Sequence, residues 1–176
     1  MAILKIARMG HPVLLRRAEP VADPAAPEIQ RLIADLRETM EDAGGVGLAA
    51  PQVHVPLRLF VYRLPPLPGE QGEAPRQGVV INPEITPVGE EEALAWEGCL
   101  SIPGLRGVVP RPARIRYRGW DASGVAFERE AEGFEARVVQ HETDHLDGIL
   151  YPMRMRDFRY FAFEQELARF GAELLA

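Results

Sequence analysis

The chain has 176 residues, 47% of them hydrophobic and 26% charged, with a formal net charge of −6. That length suits a single domain with its own core, and the composition contains no apolar run approaching a membrane span. The acidic balance argues against nucleic acid or an anionic membrane as a partner drawn in by the mean field.

The start, Met1 to Arg8, lacks the apolar stretch of a secretory signal and is too short a basic segment for a transit peptide. Cys99 is the single cysteine, so no intrachain disulfide forms and a reducing compartment is allowed. A cytoplasmic location is the expectation. No repeat or linker divides the chain, and one domain over residues 1–176 is expected.

Pro24 and Pro27 precede Ile29, Leu32, Ile33, Leu36 and Met40, whose spacing predicts a first helix ended by Gly44-Gly45. Arg58–Tyr62 and Val79–Ile81 read as strands separated by a surface loop at Pro65–Gly69. From Ala113 to Gly119 the residues alternate, so Ile115 and Tyr117 should face inward and Arg114, Arg116 and Arg118 outward. The three arginines are expected on a solvated face. Asp121–Gly124 reads as a hairpin turn. A second helix is predicted from Glu132 to Leu146, stopped at Asp147-Gly148, and a third from Arg156 to Leu174 with Phe158, Phe161, Leu167 and Phe170 on its apolar side. Unalternated strands and helices indicate an α+β fold, with a central helix among antiparallel sheets and a helix toward each end.

That central helix carries His141-Glu142-Thr143-Asp144-His145. A helix turns about 100° per residue, so the two histidines share a face and can bind one metal ion, with Glu142 beside them. An ion so held lowers the pKa of bound water toward about 7, and a glutamate nearby can move its proton. Phe134 and Val138, on the same side of the helix, predict a buried apolar face on which unpaired imidazoles would be destabilising. His11 and His54 read as surface histidines near turns. For a third ligand the candidates are Cys99 and, nineteen and twenty-one residues beyond His145, Glu164 and Glu166. With either glutamate, the chain would be an endopeptidase.

Gly45-Val46-Gly47-Leu48-Ala49-Ala50-Pro51-Gln52, Glu97-Gly98-Cys99-Leu100-Ser101 and Gln140–Gly148 resemble, in this order, the three signature motifs of peptide deformylases. The likeness extends to Arg8–Leu14 and Pro103–Gly107 and covers the chain to about Met155. Members of this family remove the formyl group from the N-terminal formylmethionine of new polypeptides.

The resemblance implies Cys99, His141 and His145 as metal ligands, leaving one tetrahedral position for water. It implies Glu142 as general acid and base, with Gln52 and the Leu100 backbone N–H stabilising the oxyanion. Ligand softness alone suits zinc or ferrous iron; the resemblance implies Fe(II), with zinc, nickel or cobalt able to substitute. Loss of activity in air, through oxidation of the iron or of Cys99, is expected.

Gly45, Gly47 and Gly98 would let an extended peptide pair as an added strand, with Val46 and Val138 lining a methionine pocket. Glu97, in the cysteine motif, and Arg106 after it complete the expected substrate-facing set. Expected partners are N-formylmethionyl peptides and nascent chains. A further class, a degenerate metal-binding module riding on the ribosome surface through Arg154, Arg156 and Arg159, is disfavoured by the intact catalytic positions.

Overall fold

The computed structural model describes residues 2–66 and 74–174. The expected α+β architecture is present, built among the described residues from two antiparallel sheets and three α-helices. Strands β1 (Gly47–Ala49), β2 (Leu59–Leu64), β3 (Arg76–Pro87), β6 (Arg114–Trp120) and β7 (Ala126–Glu132) form one sheet in the order β1-β2-β3-β6-β7. Strands β4 (Glu92–Cys99), β5 (Ile102–Pro112) and β8 (Phe161–Phe163) form the other, in that order.

The five-stranded sheet is covered on both faces. Helix α1 (Pro27–Asp42) packs Ile29, Ile33, Leu36 and Met40 against Leu59, Val61, Val79 and Ile81. Helix α2 (Gly133–Leu146) packs Val138, Val139 and Leu146 against Phe60, Tyr62, Leu64, Val80, Ile115 and Tyr117. Successive residues of β2 therefore enter opposite cores, which is why its sequence is continuously apolar rather than alternating. A third cluster of Ala7, Leu14, Ile102, Val109, Leu150, Tyr151 and Met155 sits beneath the three-stranded sheet.

Several expectations hold in detail. Ile115 and Tyr117 are fully buried, while Arg114, Arg116 and Arg118 are exposed, the last two paired with Glu130 and Glu84 on neighbouring strands. The Asp121–Gly124 turn joins β6 to β7, with Asp121 Oδ1 accepting from the N–H groups of Ser123 and Val125. Helix α2 ends at Leu146, and Gly148 takes the left-handed conformation at φ 74°. The predicted loop Pro65–Gly69 lies outside the described residues from Leu67 onward.

Two expectations need correction. The third helix does not begin at Arg156: Phe158–Tyr160 is a 3-10 turn, Phe161–Phe163 is β8, and α3 spans only Glu164–Leu174. β-Pairing to Leu105, Arg106 and Gly107 of β5 overrides the helical spacing of the phenylalanines. Of the residues placed on that apolar side, Phe158 and Phe170 are exposed, while Phe161 is partly buried against the cluster beneath the three-stranded sheet. In addition, β4 and β5 are long strands that periodicity did not reveal, because β5 contains Gly104, Gly107, Pro110 and Pro112. Their ladder shifts register between Gly98 and Cys99, a bulge that redirects the cysteine at the end of β4.

Candidate metal centre

Helix α2 lies between the two sheets and turns one face toward the end of β4. On it the His141 and His145 rings stand 5.0 Å apart between centroids, at an interplanar angle of 78°. The bulge brings Cys99 Sγ to 3.2 Å from His145 Nε2. One donor atom from each of Cys99, His141 and His145 lies within 4.8 Å of the others, and among the described residues no other group of three or more potential ligands converges in this way.

The donor set fits a divalent transition metal. Burial opposes ionisation of the Cys99 thiol, but the charges and hydrogen bonds of His145 and His141 outweigh it and hold the pKa well below the usual thiol range. Burial likewise disfavours a charged His141, yet Cys99 and Glu97 hold positive charge there and push its pKa well up. A thiolate and a carboxylate thus favour a cation among two imidazoles, the polarity and softness such an ion requires. His141 Nδ1 is 2.8 Å from Glu97 Oε2, which fixes the ring and turns Nε2 toward the cluster.

Glu142 is buried beside these donors, and its Oε2 has no hydrogen-bond partner among the described residues. Burial is the largest influence on its carboxyl and, together with Cys99 and Glu97, outweighs the nearby histidines to push its pKa up to about 7. A Cβ at Gly47 would collide with the carboxyl of Glu142. The glycine of β1 thus makes room for this side chain, not only for an approaching peptide. Gln52 is buried in the 3-10 turn after β1: its Oε1 accepts from Ala49 N at 2.9 Å, so Nε2 faces Ser101 Oγ at 3.1 Å and Cys99 Sγ at 3.5 Å.

The expected substrate-facing residues Gly45, Val46, Gly47, Glu97, Gly98, Arg106 and Val138 all border one cleft of about 490 Å³, which also reaches His141 and Glu142. Glu97, however, is only 5% exposed, and both carboxylate oxygens are engaged. Arg111 Nε and Nη2 donate to Oε1 and Oε2 at 2.7 and 2.9 Å, Arg137 Nη1 donates to Oε1 at 2.7 Å, and His141 takes Oε2. Glu97 borders the cleft, and its carboxylate has the geometry of a support for His141. Burial opposes its ionisation, but Arg111 and His141 hold its pKa well below the usual carboxylate range.

Sequence reasoning missed the rest of this network. Arg111 Nη1 donates to Asp144 Oδ2 at 2.7 Å, and Arg154 Nη2 donates to Asp144 Oδ1 at 2.7 Å. Arg137 also donates to the carbonyls of Val109 and Ala93 at 2.9 and 2.7 Å, joining α2 to β5 and β4. Asp144 lies within the histidine motif, the one signal that could have drawn attention to it.

The remaining candidates sit elsewhere. Glu164 Oε1 accepts from Arg106 Nε at 2.6 Å, and Glu166 lies 3.9 Å from Arg169; neither joins the ligand cluster, so the endopeptidase alternative loses its third ligand. Phe134 is 50% exposed at the cleft, so only Val138 of the predicted apolar pair is buried. His11 and His54 are exposed and meet edge to face, as surface histidines. Arg154, Arg156 and Arg159 are each paired with an acidic side chain, which weakens the case for a free basic face. No helix among the described residues is long and apolar enough to cross a membrane.

Replacing Glu97 with Gln is expected to weaken metal retention about 10- to 100-fold, because the support of a ligating imidazole is lost. Equilibrium dialysis against a metal buffer checks this. Unchanged retention by a folded variant would contradict the role assigned to Glu97.

A family model described as polypeptide deformylase matches residues 3–160. Over 171 residues the chain is 50% identical to peptide deformylase 2 of Ralstonia nicotianae, covering 94% of each protein. The structure matches the peptide deformylase of Thermotoga maritima with a TM-score of 0.78 at 39% identity, covering 89% of this chain and 100% of that one. It also matches the Met-Ala-Ser-bound class I type b peptide deformylase of Acinetobacter baumannii, with a TM-score of 0.79 at 34% identity over 88% of this chain and 99% of the other. The motifs, the fold and the ligand cluster thus meet in one assignment, and the chain belongs to the polypeptide deformylase family.

Proposed function

We propose that this chain is a metal-dependent hydrolase that removes the formyl group from the N-terminal formylmethionine of newly made polypeptides and releases formate. The observation that carries this reading is the convergence of Cys99, His141 and His145 beside the buried Glu142, whose Oε2 has no hydrogen-bond partner among the described residues, at a cleft that Cys99, His141 and Glu142 line. We read residues 1–176 as one catalytic domain, acting in the cytoplasm on nascent chains and their peptides, with the ribosome surface as a further contact.

Cys99, His141 and His145 would hold the metal, for which Fe(II) is the first choice with zinc, nickel or cobalt as substitutes; when bound, it acidifies water and polarises the formyl carbonyl. Glu142 Oε2 takes a proton from the attacking water. Its burial makes the carboxyl basic enough to accept that proton and hold it. Charge developing on the formyl oxygen is met by Gln52 Nε2, oriented by the Ala49–Gln52 hydrogen bond, and by the backbone N–H of Leu100. Collapse of the tetrahedral adduct breaks the C–N bond, and Glu142 returns its proton to the departing amine.

The peptide enters between two strand edges. β1 and β4 are edge strands of their sheets, and residues preceding or within them, Gly45–Gly47 and Trp96–Gly98, line the same cleft. Backbone pairing along such edges accepts many sequences. Val46, exposed at the rim, with Val138 and Phe134 from α2 offers an apolar seat for the methionine side chain.

Metal-loaded protein is expected to release formate from formyl-Met-Ala, and Glu142→Gln to lower that rate by about 10²- to 10⁴-fold while keeping its metal. No release by the wild-type protein would refute the reading. Anaerobically purified iron-loaded enzyme should lose activity over hours in air, whereas the zinc form should not. Formate assays on both forms, with metal content followed in parallel, decide this; an air-stable iron form counts against Fe(II) as the working metal.

A further inference from the structure

The segment before the 3-10 turn Pro12–Leu15 is tied to the wall that carries Gln52 and Ser101. Ala7 N donates to the carbonyl of Gln52 at 2.7 Å and Met9 N to that of Ser101 at 2.9 Å, while Gln52 Nε2 donates to Ser101 Oγ. This segment borders a hollow of about 770 Å³. Ala43 and Leu100 border both the hollow and the cleft at the ligand cluster.

The ionisable side chains lining the hollow are Lys5, Arg8, His11 and His54, all exposed, and among the described residues none of its lining is acidic. Lys5 is the only lysine of the chain. Neither Lys5 nor Arg8 has an ion-pair partner among the described residues, whereas Arg106, Arg111, Arg137, Arg154, Arg156 and Arg159 are all paired. In a chain of net charge −6, with 26 acidic residues, two unpaired cations thus face one hollow. His11 Nδ1 accepts from Val13 N at 3.2 Å, so the neutral ring carries its proton on Nε2 and presents a donor there. That proton opposes metal binding by Nε2 and suits an anion. The His11 and His54 rings meet edge to face, 4.7 Å apart between centroids, and the remaining side chains, Leu4, Ile6 and Leu100 among them, are apolar.

An apolar lining with a few converging donors is the makeup of a small-molecule site. Lys5 supplies a point charge and Arg8 a forked one, the two ways in which side chains hold phosphate. Imidazole and aliphatic surfaces suit a planar base, which stacks on histidine as on other aromatic rings. A long polyanion fits less well. Helix α1, joined to this segment by Leu4 N donating to Thr39 Oγ1 at 2.9 Å, carries Asp35, Glu38, Glu41 and Asp42, so a strand continuing along it would meet like charge. We propose that this hollow binds a nucleoside di- or triphosphate, with Lys5, Arg8 and the His11 Nε2–H on the phosphates and the base against His54, Leu4 and Ile6. The site is separate from that of formyl hydrolysis and does not depend on that reading.

Calorimetric titration of GTP into the full-length, zinc-loaded protein at about 50 mM salt tests this. A Kd of about 0.1 mM is expected, weakened about tenfold by Lys5→Glu combined with Arg8→Glu, and weakened likewise by salt of about 0.5 M. Both side chains are exposed, so the variant should keep its fold and its zinc. Pyrophosphate should bind about fivefold more weakly than GTP, because the base contact is lost. In the wild type, pyridoxal phosphate should form an imine with Lys5 that borohydride fixes, and GTP at about five times its Kd should slow that labelling about sixfold. Peptide mapping separates Lys5 from the N-terminal amine. No binding of GTP, binding that survives the double charge reversal as binding at the metal would, or labelling that GTP leaves unchanged would overturn the proposal. GTP bound no better than pyrophosphate would overturn the base contact, and a single-stranded oligonucleotide bound more tightly than GTP would overturn the choice of a compact ligand.

Discussion

A carboxylate as deeply buried as Glu97 stays ionised only if cations surround it, and here Arg111, Arg137 and His141 do so. This shared carboxylate couples the fold to the chemistry. Glu97 belongs to β4, Arg111 to β5, and Arg137 and His141 to α2, so one side chain fixes the three-stranded sheet against the helix and sets the angle of an imidazole. Asp144, on the same helix, closes the network by accepting from Arg111 and Arg154. Removing one member would leave another charge buried without its partner, a loss of about 3–5 kcal/mol in comparable networks. The fold is thus committed to the geometry that His141 requires.

The other ligands are placed by separate devices that meet at the same point. A register shift at the end of β4 aims Cys99, and the helical period aligns His145 with His141. Gly47 clears the volume that Glu142 fills, and Ala49 N orients the amide of Gln52. Each device is local, yet none works unless the edge of the five-stranded sheet, the helix and the β4–β5 hairpin are docked together. The cleft between the two sheet edges is a product of that docking, and α3 borders it through Glu164.

How much of this was legible in the sequence depended on the range of the interaction. Local periodicity revealed α1, α2 and β6, because each buries one face against a continuous core. The spacing of His141, Glu142 and His145 is likewise local and survived intact. β4 and β5 were obscure because glycines and prolines interrupt β5 and because their burial comes from α2 and the C-terminal segment. The phenylalanines from Phe158 onward suggested a helix, but pairing with β5 decides the structure there. Arg111 and Arg137 looked like ordinary charged residues; only the fold shows that they converge on Glu97. Gly47 was read as space for a peptide, and its contact with Glu142 depends on a helix nearly a hundred residues away in the chain.

The central claim is that one thiolate and two imidazoles of this chain hold the catalytic metal. X-ray absorption at the metal edge of the purified holoenzyme tests it most directly. The account predicts one sulfur scatterer, two imidazole nitrogens and a light-atom scatterer in the first coordination shell, with the sulfur lost in Cys99→Asp. A wild-type spectrum without sulfur, or one unchanged by that substitution, would contradict it.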